Sequence, residues 1–148
     1  MTVKDDLLKL KTNTGTAVTS TEAGWITLTR DGTTGQIVVQ IDKCPAGGIP
    51  IEVLAEADTG TVAGGGTHVV TIEASNTLAS GYIVVATFPT ITQADAAHQA
   101  AIRMVRRVAT QKTYLRHVIT RAAAGDSSIS RCYEINVGVG LIDDDAIY

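Results

Sequence analysis

Aromatic side chains are scarce in this sequence, where they make up 4% of 148 residues, with one Trp and one Phe. Carbohydrate-binding surfaces stack sugars on exposed aromatic rings, so the low aromatic content argues against a sugar-binding function. Charged residues are also few, at 18%, and the net charge of -3 argues against a general binder of polyanions. Hydrophobic residues reach 45%, which argues against disorder over most of the chain and predicts one buried core.

Cysteines and long apolar runs are also sparse. Cys44 and Cys132 lie far apart and lack the C-x-x-C spacing of a metal site. Two buried thiols are the favoured interpretation, and a disulfide between them stays open. No run of eighteen apolar residues could span a membrane, and the charged start MTVKDDLLKLK lacks the apolar core of a secretory signal. We therefore expect a soluble protein made in the cytosol, with no membrane partner.

Proline is rare, with 3 residues, whereas the 14 glycines and the many β-branched residues favour turns and strands. The segments that alternate or run apolar between turn-rich stretches are GWITLTR, QIVVQI, IPIEVLAEA, THVVTIEA, GYIVVATF, TYLRHVITR and SRCYEINVGVGLI. This pattern predicts an all-β fold, a jelly roll or β-sandwich of about eight strands. We expect a single domain over 1–148 with a short acidic tail at 143–148.

Two of these segments carry more detailed predictions. In IPIEVLAEA, one face holds Ile49, Ile51, Val53 and Ala55 and the other holds Glu52, Leu54 and Glu56, the pattern of a half-exposed strand. THVVTIEA and GYIVVATF bracket SNTLAS, which fits either a hairpin or a crossing between two sheets. Between IPIEVLAEA and THVVTIEA lies DTGTVAGGG, whose three successive glycines predict a mobile loop.

Only TQADAAHQAAIRMVRRVATQ, which begins at Thr92, resembles a helix. Thr92 or Asp95 would cap it, and its Ala-rich spacing favours a helix up to Ala100. The C-terminal half, AIRMVRRVA, fits a strand equally well. The sequence therefore predicts at most one short helix.

Residues that carry out chemistry stand alone in this sequence. The three histidines, His68, His98 and His117, have no paired partner of the kind that a cupin metal site needs, which favours surface or packed histidines. Ser127 and Ser128 lie in GDSSIS without a G-x-S-x-G elbow, and VAGGGTH lacks the lysine of a phosphate-binding loop. We expect no catalytic residues, no metal, no cofactor and no enzyme activity, with a metal enzyme on a cupin-like barrel as a rival hypothesis.

An acidic triplet, Asp143, Asp144 and Asp145, lies near the end of the chain. Three carboxylates could bind a divalent cation. A run of like charge near a chain end is more typical of a solvated tail or of a contact for a basic partner.

Half of the Lys and Arg residues fall between positions 101 and 121, where there is no Asp or Glu. They are Arg103, Arg106, Arg107, Lys112, Arg116 and Arg121. Nucleic-acid binding through phosphates is one interpretation, weakened because only Tyr114 is available to stack a base. Protein association is the second, since Arg and Tyr are favoured at interfaces. The third is that these arginines pair with acids of the same domain.

The predicted strand QKTYLRHVITRA lies in this basic region, and neither of its two faces is clearly a core face or clearly a solvent-exposed face. Leu115, His117 and Ile119 share one face, and Tyr114, Arg116 and Val118 share the other. The interface hypothesis places Arg116 and His117 half-buried against a neighbouring subunit. Its candidate protein–protein contacts are Arg103, Arg106, Arg107, Tyr114, Arg116, His117 and Arg121.

Three stretches of this chain resemble one family of virion proteins. They are DDLLKLKTNTGTAVTSTEAGWITLT, GYIVVATFPTI and KTYLRHVITRAAAGDSSISRCYEINVGVGLI. The chain resembles, over nearly its whole length, the jelly-roll capsid cement proteins of short-tailed phages, the family named for the Bordetella phage cementing protein. Tyr114, Leu115 and Arg116, with the turn at Gly125, match position by position. The basic segment from Arg103 to Arg107 departs from the family pattern.

This resemblance implies a structural subunit on the outer surface of an icosahedral phage head. Its expected partners are the major capsid protein and further copies of itself, in a dimer or trimer, with no direct contact to nucleic acid. Such a protein is synthesised in the host cytoplasm and ends in the virion. The alternative function is a carbohydrate-binding β-sandwich module that attaches a virion to its host.

Overall fold

All regular secondary structure is β-strand in the residues described by the structure, a computed structural model: 9–23, 39–41, 44–58, 66–92, 100–122 and 129–138. The strands are β1 (Lys9–Lys11), β2 (Glu22–Ala23), β3 (Val39–Gln40), β4 (Ile49–Ala55), β5 (Thr67–Ser75), β6 (Ile83–Thr87), β7 (Ile91–Thr92), β8 (Ile102–Val108), β9 (Tyr114–Ala122) and β10 (Tyr133–Val137). The predicted all-β class is thereby confirmed.

The strands form two antiparallel sheets. One has the order β1-β10-β4-β8; the other has the order β2-β9-β5-β6, with β3 also on β9 and β7 also on β5. β2 and β3 pair successive stretches of β9, and β6 and β7 pair successive stretches of β5. Each of these two pairs shares one strand position, so ten segments fill eight positions.

The eight positions pair as the arms of one long hairpin would. The first position pairs the eighth, the second the seventh, the third the sixth and the fourth the fifth. Rolling such a hairpin into two facing sheets gives the strand order of a jelly roll, a double-sheet fold of eight strands. The predicted jelly-roll sandwich of about eight strands is confirmed.

Alternating apolar side chains from both sheets build the core. In β5 every second residue is buried, and β9 repeats this pattern as far as Ile119. The largest completely buried apolar side chains are Leu10, Ile51, Ile72, Leu115, Ile119, Ile129, Tyr133 and Ile135. Leu115 and Ile119 lie on one face of β9, so that face of the strand lies in the core.

The structure also tests the predicted hairpin and the predicted half-exposed strand. THVVTIEA and GYIVVATF form the β5–β6 hairpin, with Ala74 opposite Ile83. In β4, the predicted buried set is buried, but Glu52 on the other face is buried too, at 3% exposure. That face is not half-exposed at Glu52, because Asn136 and Arg103 contact its carboxylate.

Several predictions fall on residues outside the described ranges. The predicted helix covers 92–100: Thr92 belongs to β7, Ala100 lies in a bend, and residues 93–99 lie outside. AIRMVRRVA is the strand β8. The strand GWITLTR, most of the glycine-rich loop and the acidic tail also fall outside. Both cysteines, Cys44 and Cys132, are free and half-buried.

Candidate interaction surface

The candidate contacts in AIRMVRRVA lie on an edge strand. β8 pairs only β4 within its sheet, so its second side is open in the described part of the chain. Arg103, Val105 and Arg107 alternate with Met104 and Arg106 along the strand. Val105 is opposite Glu52 on the outer face of the sheet, and Arg106 is opposite Ile51 on the core side.

Arg103 forms an ion pair inside the domain. Its Nε donates to Oε1 of Glu52 at 2.7 Å, and Asn136 donates from Nδ2 to the other oxygen of the same carboxylate at 3.0 Å. Glu52 and Asn136 are each 3% exposed, so Arg103 and Asn136 provide the buried carboxylate with an ion pair and a hydrogen bond. The interpretation in which the arginines pair with acids of the same domain describes Arg103 well.

Arg106 and Arg107 bind backbone carbonyls instead. Because β8 is an edge strand, the guanidinium of Arg106 reaches across the opening between the sheets and donates to the carbonyl of Thr87 in β6. Arg107 donates to the carbonyls of Gly47 and Gly48, each at 3.3 Å. In the described ranges no carboxylate pairs with Arg106 or Arg107, and both side chains are exposed. They keep an uncompensated positive charge at this edge.

The tyrosine–leucine–arginine stretch of β9 lies in the other sheet. Arg116 is directly opposite Glu73 of β5 and donates to its carboxylate from Nε at 2.7 Å. The same guanidinium lies over the ring of Tyr82, 4.2 Å from its centroid, a cation–π contact. Tyr114 and Arg116 are half-buried on the outer face of this sheet. Arg116 is therefore already held by its own chain.

His117 does not lie on a surface, so its placement against a neighbouring subunit was wrong. The side chain is completely buried between the sheets, because it shares the core-facing side of β9 with Leu115 and Ile119. Arg121, near the end of the same strand, is half-buried, and its Nε is buried with no hydrogen-bond partner among the described residues.

The basic residues of 101–121 consequently do not form one stripe. Three of the arginines lie on the edge strand of the four-stranded sheet, and Arg116 and Arg121 lie on a central strand of the other sheet. A sequence run cannot show this separation, because consecutive strands of a jelly roll belong to different sheets. The surface that remains available is the β8 edge, defined here as Arg103, Val105, Arg106 and Arg107.

Exposed aliphatic side chains, which the sequence did not single out, lie on the two strands that end the sheets on this side, β6 and β8, and in the turn before β6. Ile83 and Val84 of β6 are each 55% exposed, and Val105 of β8 is 38% exposed. Leu78, in the turn of the β5–β6 hairpin, is 41% exposed. β6 is the outermost strand of its sheet and contacts β8 through the bond from Arg106 to Thr87. We name this side of the sandwich the open side: the β8 edge together with Ile83 and Val84.

The core also contains a polar cluster that the sequence did not reveal. His68 and Tyr133 are both completely buried, and Nδ1 of His68 lies 2.7 Å from the hydroxyl of Tyr133. Burial, the largest cause, and the charges of Arg121 and Arg131 together lower the pKa of His68 to about 4, against the opposing effect of Asp58 and Glu22. Burial likewise raises the pKa of Tyr133. Both groups are neutral at pH 7.

Arg131 holds the end of the sandwich beside His68. Although completely buried, it donates to the carbonyls of Glu56 and Ala100 at 2.8 and 2.9 Å, and its Nε lies 3.9 Å from Oδ2 of Asp58. Asp58 also accepts a hydrogen bond from the backbone of Ser130. A buried arginine with carbonyl and carboxylate partners fixes the connections between strands.

A second buried group links three strands. Lys11 of β1 lies 2.6 Å from Oε1 of Glu22 in β2, and Nε2 of His117 lies 3.5 Å from the same oxygen. Burial raises the pKa of Glu22, but its interactions with His117 and Lys11 lower it more, so the pKa falls below its ordinary value. Burial lowers the pKa of His117. The histidines that the sequence left as surface or packed residues are packed at 68 and 117.

This polar interior does not have the composition of a metal centre. Across the described ranges, no group of three or more His, Cys, Asp or Glu side chains is placed to hold a metal ion.

A shallow cavity of about 410 Å³ lies on the outer face of the four-stranded sheet, lined by Asn13, Leu54, Ala55, Glu56, Ala101, Ile102, Arg103 and Glu134. The same ranges contain no helix of a length and hydrophobicity suited to crossing a membrane.

Comparison with known proteins adds no family. A scan against protein-family models found no match, and a search of curated protein sequences found none either.

Proposed function

We propose that this protein is a capsid cement or decoration protein, which binds the outside of a phage head and stabilises contacts between major capsid proteins. The resemblance of three sequence stretches to the cement proteins supports this proposal, as does the jelly-roll sandwich that such a protein uses. A cement protein needs a rigid scaffold with a surface for docking. The chemistry of the buried side chains serves that rigidity.

The open side is the observation that carries the proposal. It combines exposed Ile83, Val84 and Val105 with the uncompensated charges of Arg106 and Arg107. Edge strands with exposed aliphatic side chains invite pairing with another chain, and natural proteins usually protect them. Apolar patches rimmed by charge mark protein–protein interfaces, where arginine is enriched. An acidic, apolar surface on a shell would complement the open side.

Mass action explains how so small a subunit stabilises a large shell. A ligand that binds only the assembled state stabilises that state by an amount that grows with the logarithm of ligand concentration. A shell presents many identical sites, and a subunit that contacts two shell proteins at once gains from effective concentration. Each contact can therefore be modest while the shell as a whole becomes much harder to disrupt.

Binding to shells tests the proposal directly. Purified protein is added to expanded phage capsids that lack it, and binding is measured by co-sedimentation while shell melting is followed by calorimetry. We expect saturable binding and a higher melting temperature or greater resistance to chelation. Absence of binding at micromolar protein and low salt would contradict the proposal.

The β8 edge can be tested separately by charge reversal. Arg106→Glu combined with Arg107→Glu should weaken shell binding by about tenfold or more at low salt, because two favourable charges become repulsive. Arg103 is left unchanged, since a glutamate there would face the buried carboxylate of Glu52. The matched control, Arg106→Lys with Arg107→Lys, keeps both charges and should bind nearly normally. Equal shell binding by both double variants would show that Arg106 and Arg107 do not contribute to the interface with the shell.

A further inference from the structure

The described chain ends close to the β8 edge. After β10, the backbone N–H of Gly138 donates to the carbonyl of Pro50 at 3.2 Å. Pro50 is in turn directly opposite Arg107 in the β4–β8 register. Neighbouring strands lie about 4.8 Å apart, so the backbone at Gly138 is roughly 10 Å from that at Arg107.

The sequence that follows Gly138 complements this edge. Residues 141–148 read LIDDDAIY, with three consecutive aspartates flanked by apolar residues on both sides. The β8 edge offers the opposite charge at Arg106 and Arg107 and an exposed aliphatic side chain at Val105. The described residues supply the two arginines with carbonyl partners only. Both the charge and the apolar character of the segment therefore fit the edge.

The distance also fits. Asp143 is the fifth residue after Gly138, and an extended chain of five residue steps spans up to about 17 Å. The aspartates can therefore reach Arg106 and Arg107 of the same molecule. A tethered segment experiences an effective concentration in the millimolar range, well above the concentration of a second copy in dilute solution.

We propose that the C-terminal segment 141–148 binds the β8 edge of its own chain, with Asp143–Asp145 paired with Arg106 and Arg107 and the apolar residues covering Val105. In free protein, the segment screens the edge from other acidic or apolar partners. If the proposed cement function is correct, a shell must displace this segment to dock, and the segment limits self-association before a shell is met.

Carbodiimide cross-linking tests this contact in the full-length protein. Arg107→Lys keeps the charge and introduces an amine that can couple to a nearby carboxylate. We expect mass spectrometry to find position 107 joined to one of the residues 143–145 in the monomer band, with a yield that falls as salt rises. The control adds Asp143→Asn, Asp144→Asn and Asp145→Asn to the same variant, and this link should disappear.

Two outcomes would overturn the proposal. One is a monomer fraction without any link between position 107 and the tail at low salt. The other is a link confined to cross-linked dimers, which would assign the edge to a second copy. The experiment needs no capsid, so its failure is distinguishable from a failure of the cement function, which only shell binding reports.

Discussion

At the scale of single residues, the interior of this sandwich is more polar than its sequence suggests. His68, His117 and Arg131 are all completely buried, and their partners come from residues far away in the chain. Such partners cannot be read from a sequence, because a strand position shows only which face a residue shares. The alternation of β9 places His117 beside Leu115 and Ile119, which was the available signal that it faces the core.

The buried imidazole of His68 predicts sensitivity to acid. Its pKa falls from 6.5 to about 4 in the folded protein, so between these values the unfolded chain binds more protons than the native one. The free energy of unfolding therefore rises with pH across this window. The stabilising contribution of the neutral His68 is lost as the pH falls through the same window. The contribution of His68 is roughly 3 kcal/mol, since each pKa unit corresponds to about 1.4 kcal/mol.

Urea denaturation at pH 7, 5.5 and 4.5 measures this contribution. His68→Gln should lose less stability on acidification than the wild type. Tyr133→Phe is the matched control, because it removes the hydroxyl 2.7 Å from Nδ1 but keeps the imidazole. It should cost about 1 kcal/mol at pH 7 and retain most of the pH dependence. A pH dependence unchanged in His68→Gln would show that His68 is not the group responsible.

At the scale of elements, the sequence predicted where the strands lie but not which strands pair with each other. Alternation located the core-facing side of β4, because a sheet with one face on the core imposes a period of two, but it did not reveal that Glu52 on the other side is buried too. It did not decide whether AIRMVRRVA was a helix or a strand. On the edge strand β8 the alternation breaks down, since both faces approach solvent and Arg106 occupies a core-side position opposite Ile51. The open side depends on which strands end each sheet, and long-range pairing alone determines that.

The turn before β4 supports the β8 edge, and glycine is required there. Gly48 has φ of +80°, and a Cβ on it would lie 3.2 Å from the backbone carbonyl carbon and oxygen of Val108. Gly15 has a similar φ of +73° but nothing within 4 Å of a Cβ. The two glycines therefore separate the cost of backbone conformation from the cost of contact with β8.

Gly15→Ala should destabilise the protein by about 1 kcal/mol, through the left-handed conformation alone. Gly48→Ala should cost more, about 2–3 kcal/mol, because the backbone of β8 must also shift. Chemical denaturation measures both values, and amide exchange of Val108 and Ala109 should rise in Gly48→Ala only. Equal losses in the two variants would mean that β8 adapts without cost.

At the scale of the whole molecule, the order of pairing joins the two ends of the described chain. β1 pairs β10, with Lys9 opposite Asn136, so the four-stranded sheet is not complete until the first and last described strands have met. The two sheets then share one core, to which each contributes completely buried isoleucines. A fold of this kind should lose both sheets together.

Paired core truncations test this cooperativity. Ile51→Ala in the four-stranded sheet and Ile72→Ala in the other should each lower the free energy of unfolding by about 2–5 kcal/mol, because each leaves a cavity in the shared core. Ile83→Ala, at a side chain 55% exposed, should cost less than about 1 kcal/mol. Unfolding followed by far-UV and near-UV circular dichroism should coincide in every variant. Two separated transitions in either core variant would mean that one sheet can unfold while the other persists, and a clamp between shell proteins would then lack the rigidity that the proposed function requires.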